Sequence, residues 1–272
     1  MKALLFILLS CSAAFSAEEG SHLRNLQRGL QLKEPAKGEL PPFLMQHWTV
    51  PNLTFGAPSA FGADWGIIYG GLAIIPYNKD LVPYFGFGLG NSIKYVGLTT
   101  QITIYDVASE KRITFAEGGV SLKLHRFFPR IGLGIAVGME NIYDWGPVQS
   151  PKTRFAVVSK YFKLRDSFWF SGLAATLGIG DGRFKKATDL QSGEESINVF
   201  GSLGLRIALP LSLVIDWTGR DLNIGSALAP FRTFPLILML GVGNVLENHA
   251  HLSTDRYGRH FIFALSVAIS FI

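Results

Sequence analysis

Two histidines two positions apart, His249 and His251, with Asp255 close behind, are the grouping in this 272-residue chain with the best claim to chemistry. Neutral imidazoles ligate metals or accept protons, and a carboxylate nearby would orient them. No third ligand is evident, and the stretch Asn248-His249-Ala250-His251-Leu252-Ser253-Thr254-Asp255 has the composition of a solvated loop. Of the other four histidines, His22 and His47 lie in a polar leader, His125 falls near a strand end, and His260 opens a strand. Gly86-Phe87-Gly88-Leu89-Gly90 superficially resembles a phosphate loop. It lacks a following helix, the rest of the fingerprint and a P-loop lysine, so a strand with a glycine face explains it better. The pattern therefore offers no catalytic residue, no metal site and no cofactor.

The elements that would carry these residues are strands. Phe261, Phe263, Leu265, Val267, Ile269 and Phe271 alternate with Ile262, Ala264, Ser266, Ala268, Ser270 and Ile272. Side chains alternate faces along a strand, so one face here is large and apolar and the other mostly small. A greasy edge strand in water templates aggregation, whereas a barrel closed in lipid has no edge and needs an apolar outer band. The segment resembles the C-terminal strand of bacterial outer-membrane β-barrels, with the aromatic penultimate rather than last. That resemblance is to the superfamily as a whole, and it implies a cell outer-membrane location with lipid as the surrounding partner.

Twelve strands are expected from about residue 60 onward: 61–75, 81–90, 95–106, 112–126, 131–141, 153–162, 167–181, 196–208, 211–220, 222–230, 234–246 and 259–272. Most match the ~9–11 residues that a tilted transmembrane strand needs. A phase change at Gly118-Gly119 predicts a bulge. Connections after even strands are short, as at Leu209-Pro210, and the long ones, 142–152, 182–195 and 247–257, all come after odd strands. An up-and-down barrel with short periplasmic turns requires this alternation. The fold class expected is all-β, a transmembrane antiparallel up-and-down barrel of about 12 strands, after a cleaved signal peptide.

Residues 1–16 read as that signal: Lys2, an apolar core from Ala3 to Ala14, and small residues at Ala14 and Ser16, with cleavage after Ser16 or Ala17. Cys11, the one cysteine, leaves with it unless it is lipidated. Residues 17–59 form a polar leader. Leu23, Leu26 and Leu30 suit a short helix, and Pro35, Pro41 and Pro42 prevent any regular element beyond it. The leader is either a periplasmic linker or a plug folded into the barrel, which spans 60–272. Thirty glycines, 21 phenylalanines, 17% charged residues and a mean hydropathy of +0.28 suit a membrane sheet. No uncharged apolar run beyond the signal reaches the ~18 residues of a membrane helix. A net charge of +5, scattered along the chain, is too mild for a nucleic-acid partner.

With the bulky phase outward, Gly86, Gly88, Gly132, Gly134, Gly138, Gly204, Gly241 and Gly243 point inward with several alanines, leaving room for water, a ligand or the leader. The ionisable residues expected in the lumen are Asp64, Lys123, Glu140, Lys160, Arg206 and Asp216. Tyr69, Tyr84, Tyr105, Tyr143, Trp145, Tyr161, Trp169 and Trp217 lie near strand ends and suit interfacial girdles. The leading function is passive passage of small solutes. The second is a non-catalytic structural or surface component of the envelope. The third is an outer-membrane lipid-modifying enzyme, for which the histidines near the outer rim are the only candidates. The chain is read as a non-enzyme.

Overall fold

The computed structural model describes residues 54–75, 80–109, 112–148, 150–164, 169–192, 194–208, 210–231, 236–246 and 260–270, all within one compact unit, Pro41–Ile272. The leader before residue 54, the signal, Cys11, His249 and His251 lie outside the described residues.

The strands are β1 (Ile67–Ile75), β2 (Asp80–Gly90), β3 (Gly97–Ser109), β4 (Arg112–Phe128), β5 (Leu133–Trp145), β6 (Thr153–Lys163), β7 (Trp169–Gly180), β8 (Asn198–Ala208), β9 (Leu211–Trp217), β10 (Leu222–Leu228), β11 (Leu236–Gly243) and β12 (His260–Ser270). Each pairs with its sequence neighbours, and β1 pairs with β12, so the sheet is a closed antiparallel barrel of twelve strands. Closure is an eight-residue ladder from Ile67↔Ser270 to Ile74↔Phe263. The alternation in the last strand is what aligns it: Leu72, Leu265 and Leu238 form one apolar row across β1, β12 and β11. A one-residue slip would turn every one of these side chains inward.

The exterior is apolar. Phe85, Leu124, Val137, Leu177, Leu203, Ile215, Leu240 and Phe261 all stand exposed on it. A sheet with this outer face and no free edge has the construction that hydrocarbon demands. The chain has the architecture of a transmembrane β-barrel.

The irregularity expected at Gly118-Gly119 appears as a register shift in the β3–β4 ladder, where Ile104 and Asp106 of β3 pair with the successive Gly118 and Glu117, and a second shift against β5 lies between Val120 and Leu122. Sequence and structure differ most at the first strand. Residues 61–66 were expected to begin it, but β1 starts at Ile67. Gly66, at φ +89°, turns the chain into β1 in a conformation that only glycine adopts without strain. The residues before that turn run through the inside of the barrel.

Candidate functional site

The stretch Phe55-Gly56-Ala57-Pro58-Ser59-Ala60-Phe61-Gly62-Ala63-Asp64 is built from small residues broken by two phenylalanines. It has no period-two alternation to fit it to a half-buried sheet. Small side chains instead let its backbone approach the inner wall and hydrogen-bond to side chains there. Ten residues could reach about 30 Å if extended, and this segment bends at 55–57 and at 60, so it spans less than that.

At the mouth formed by the long connections, Asp216 on β9 is 1% exposed. Its Oδ2 accepts the backbone N–H groups of Phe55 (2.8 Å), Gly56 and Ala57 (3.0 Å). Its Oδ1 accepts from the Asn223 amide at 2.7 Å. A carboxylate held by three successive amides is the geometry of an anion nest, with the protein supplying both partners. Arg183, in the 3-10 turn Gly182–Phe184 of the β7–β8 connection, donates to Gly56 O at 2.8 Å. Its guanidinium also forks onto Glu140 of β5, with Nη2 to Oε1 at 2.8 Å. Burial works against the Arg183 charge, but Glu140 more than offsets this and raises the guanidinium further above its ordinary value.

Midway, Ser159 Oγ accepts the Ala60 N–H at 2.9 Å, and Lys123 Nζ donates to the carbonyls of Ser59 (3.1 Å) and Phe61 (2.5 Å). At the short-turn end, Thr99 Oγ1 accepts the Ala63 N–H at 2.9 Å, and His125 Nε2 lies 3.1 Å from Ala63 O. Asp64 accepts from the Ser92 amide and hydroxyl, both at 2.8 Å. The segment is thus tied to β9, β6, β4 and β3 and to both ends of the barrel. It acts as a strap through the lumen.

Glycines on the wall make room for it. A Cβ on Gly88 would lie 2.3 Å from the Ala63 and Asp64 carbonyl oxygens, and one on Gly241 2.5 Å from the Phe55 ring. Several other inner glycines are covered by aromatic side chains. Tyr69 covers Gly86, Tyr84 covers Gly71 and Phe155 covers Gly138. Beside the strap, Phe184 and Phe200 stack at 4.2 Å and Phe155 meets Phe200 edge-on at 6.4 Å. With Ala57, Ala60, Ala136 and Val157 they form a buried apolar cluster inside the barrel. The room expected over small inner residues, for water, a ligand or the leader, is taken at these positions by the strap, whose residues 55–59 belong to the leader, and by aromatic side chains.

No protein-family model matches this sequence, and no curated protein matches it. Among solved structures, the chain is similar to one described as "KdgM porin in complex with disordered oligogalacturonate", at 10% identity and a TM-score of 0.43, covering 76% of this chain and 99% of that one.

The six ionisable residues expected in the lumen divide as follows. Lys123, Glu140, Arg206 and Asp216 take the inward phase of their strands. Asp64 is inside too, but on the strap rather than the wall. Lys160 is on the outer face: Ser159 is fully buried and inward, so its neighbour points out, where it donates to Ile131 O. The apolar residues around Lys160 alternate less cleanly than elsewhere, and that blurred its phase.

The girdle assignment also needs correction. Trp145, Trp169 and Trp217 lie on outward phases at strand ends, as does Tyr143. Tyr69, Tyr84, Tyr105 and Tyr161 turn inward. Tyr69 donates to Gln101 Oε1 at 3.2 Å and Tyr105 to Asn141 Oδ1 at 2.5 Å, while Tyr161 lies over Gly172. Tyr69 and Tyr161 lie near strand ends and Tyr84 and Tyr105 nearer mid-strand, and each phenol has a glycine or a polar partner inside that decides its phase.

Arg183, His125, Thr99 and Ser159 were not anticipated as strap contacts. The available signal was the small-residue run 55–64, whose lack of alternation argues against a strand.

Proposed function

We propose that this barrel is an outer-membrane channel for small solutes that its own strap holds closed. The observation that carries this reading is the chemistry of the strap's attachment. The strap is bound by reversible polar contacts to Asp216, Arg183, Lys123, Ser159 and Thr99. Freed of the strap, the lumen would be lined by those charges and by Gly88, Gly134, Gly225 and Gly241, a wetted wall with room along it. Wall charges in a confined aqueous path set the local ion concentration.

The test is conductance in planar bilayers. The wild-type barrel should be closed or nearly so. Asp216→Asn combined with Lys123→Met removes charged anchors from one end and from the middle of the strap and should raise open conductance several-fold. A folded double variant that stays silent while its strap is protease-accessible would overturn the channel reading.

A second reading is a sealed, non-catalytic component of the envelope. The Phe155–Phe184–Phe200 cluster favours it, because apolar packing on the β6–β8 side stays in place when the strap leaves. That same silent variant is what this reading expects.

A further inference from the structure

At the short-turn rim, the outer face of β4, β5 and β6 carries cations beside an apolar band. Arg126 lies on the outward phase of β4, next to the inward His125, and its guanidinium sits 5.6 Å from the centre of the Phe128 ring. Lys160 lies on the outward phase of β6, and its ammonium sits 5.5 Å from the Phe162 ring. Arg130 is exposed in the 3-10 turn Pro129–Ile131 that joins β4 to β5. None of the three meets a carboxylate among the described residues. Arg126 donates to Tyr95 O and Lys160 to Ile131 O, and each keeps further N–H groups for another acceptor.

The register fixes their arrangement. Phe128, Leu133 and Lys160 form one row across three strands, and Arg126, Ile135 and Val158 form the next. Strands lie about 4.8 Å apart and rows of like-facing residues about 7 Å apart, so the two cations sit at diagonal corners about 12 Å apart. Their long side chains can converge on one tetrahedral anion. Between and beyond them the floor is apolar: Ile135, Val137 and Val158 are all exposed and lead toward the middle of the barrel. Trp169 and Phe170 stand exposed along the same rim on the next strand. A cation pair without counter-ions among the described residues, at headgroup height above an apolar track, matches an amphiphile whose phosphate is at the rim and whose chain runs inward along the wall.

We infer that the Arg126–Arg130–Lys160 corner is a binding site for the phosphate of an anionic phospholipid in the leaflet at the short-turn rim. The inference uses the membrane placement of the barrel and does not depend on whether the lumen conducts. Each basic residue near an anionic surface contributes about a five-fold preference, so the cluster should select its lipid by tenfold or more.

The experiment is native mass spectrometry of the full-length barrel released from mixed micelles containing equal palmitoyl-oleoyl phosphatidylglycerol and phosphatidylcholine. The wild type should retain phosphatidylglycerol about tenfold over phosphatidylcholine. Arg126→Gln with Lys160→Gln should lose that preference. Arg154→Gln, at the opposite rim, should keep it. Heat-modifiable migration of each variant reports a folded barrel. An unchanged preference in the folded double variant, or an equal loss in Arg154→Gln, would overturn the site. Failure of the wild type to fold in micelles at all would instead count against the membrane placement.

Discussion

Gly88 shows how closely single residues set the lumen. Its inward hydrogen faces the strap backbone, and a Cβ there would come within 2.3 Å of the Ala63 and Asp64 carbonyls. Backbone so tied cannot yield as a flexible side-chain end would, and overpacking of this kind costs about 1–3 kcal/mol. Gly88→Leu should therefore displace the short-turn end of the strap without disturbing the wall. Hydrogen exchange read on peptides covering residues 54–66 should show lost protection in that variant. Gly70→Ala, whose added methyl comes no nearer than 3.3 Å to anything, should keep wild-type protection. Equal exchange in both would mean that the strap does not depend on the space over Gly88. The four inward tyrosines obey the same logic. A phenol and a glycine on facing strands complement each other, and the hydroxyl finds its acceptor inside.

At the scale of elements, the β1–β12 seam decides whether a sheet becomes a barrel. Its apolar row Leu72–Leu265–Leu238 faces outward on the three strands that meet there. Leu265→Arg places a cation on the lipid face, at a cost of about 2–4 kcal/mol near mid-membrane. That variant should assemble poorly, with less of the folded form recovered from urea into lipid vesicles than for the wild type. Phe162→Arg, at the rim where Lys160 already stands, should be recovered far better. Equal recovery of the two would contradict the depth assigned to the seam. The seam's phase was readable in the sequence because twelve successive residues alternate. Lys160 and four of the five girdle tyrosines take the other face from the one expected, because a single residue carries too little periodicity to set its own phase.

For the molecule as a whole, a closed sheet satisfies every ladder within itself, which makes such barrels slow to open. An unboiled sample in mild detergent should migrate differently from a boiled one. Extraction of the whole protein into buffer without detergent would remove the basis for its membrane placement.

The sequence by itself determined the strand count, the phase of most strands and the alternation of short and long connections. These come from local chemistry: alternation of apolar and small residues, and turn residues at regular spacing. Only the tertiary structure decided what fills the lumen. The strap's partners Thr99, Lys123, His125, Ser159, Arg183 and Asp216 are separated from it by between about 36 and 161 positions along the chain. No local pattern encodes such pairing. Hydrogen bonds from a strap backbone to scattered wall side chains come into being only once the barrel has closed around it. The small residues of 55–64 gave the one local sign of this, since a segment of glycine, alanine and serine can lie against a wall that a bulkier chain could not approach.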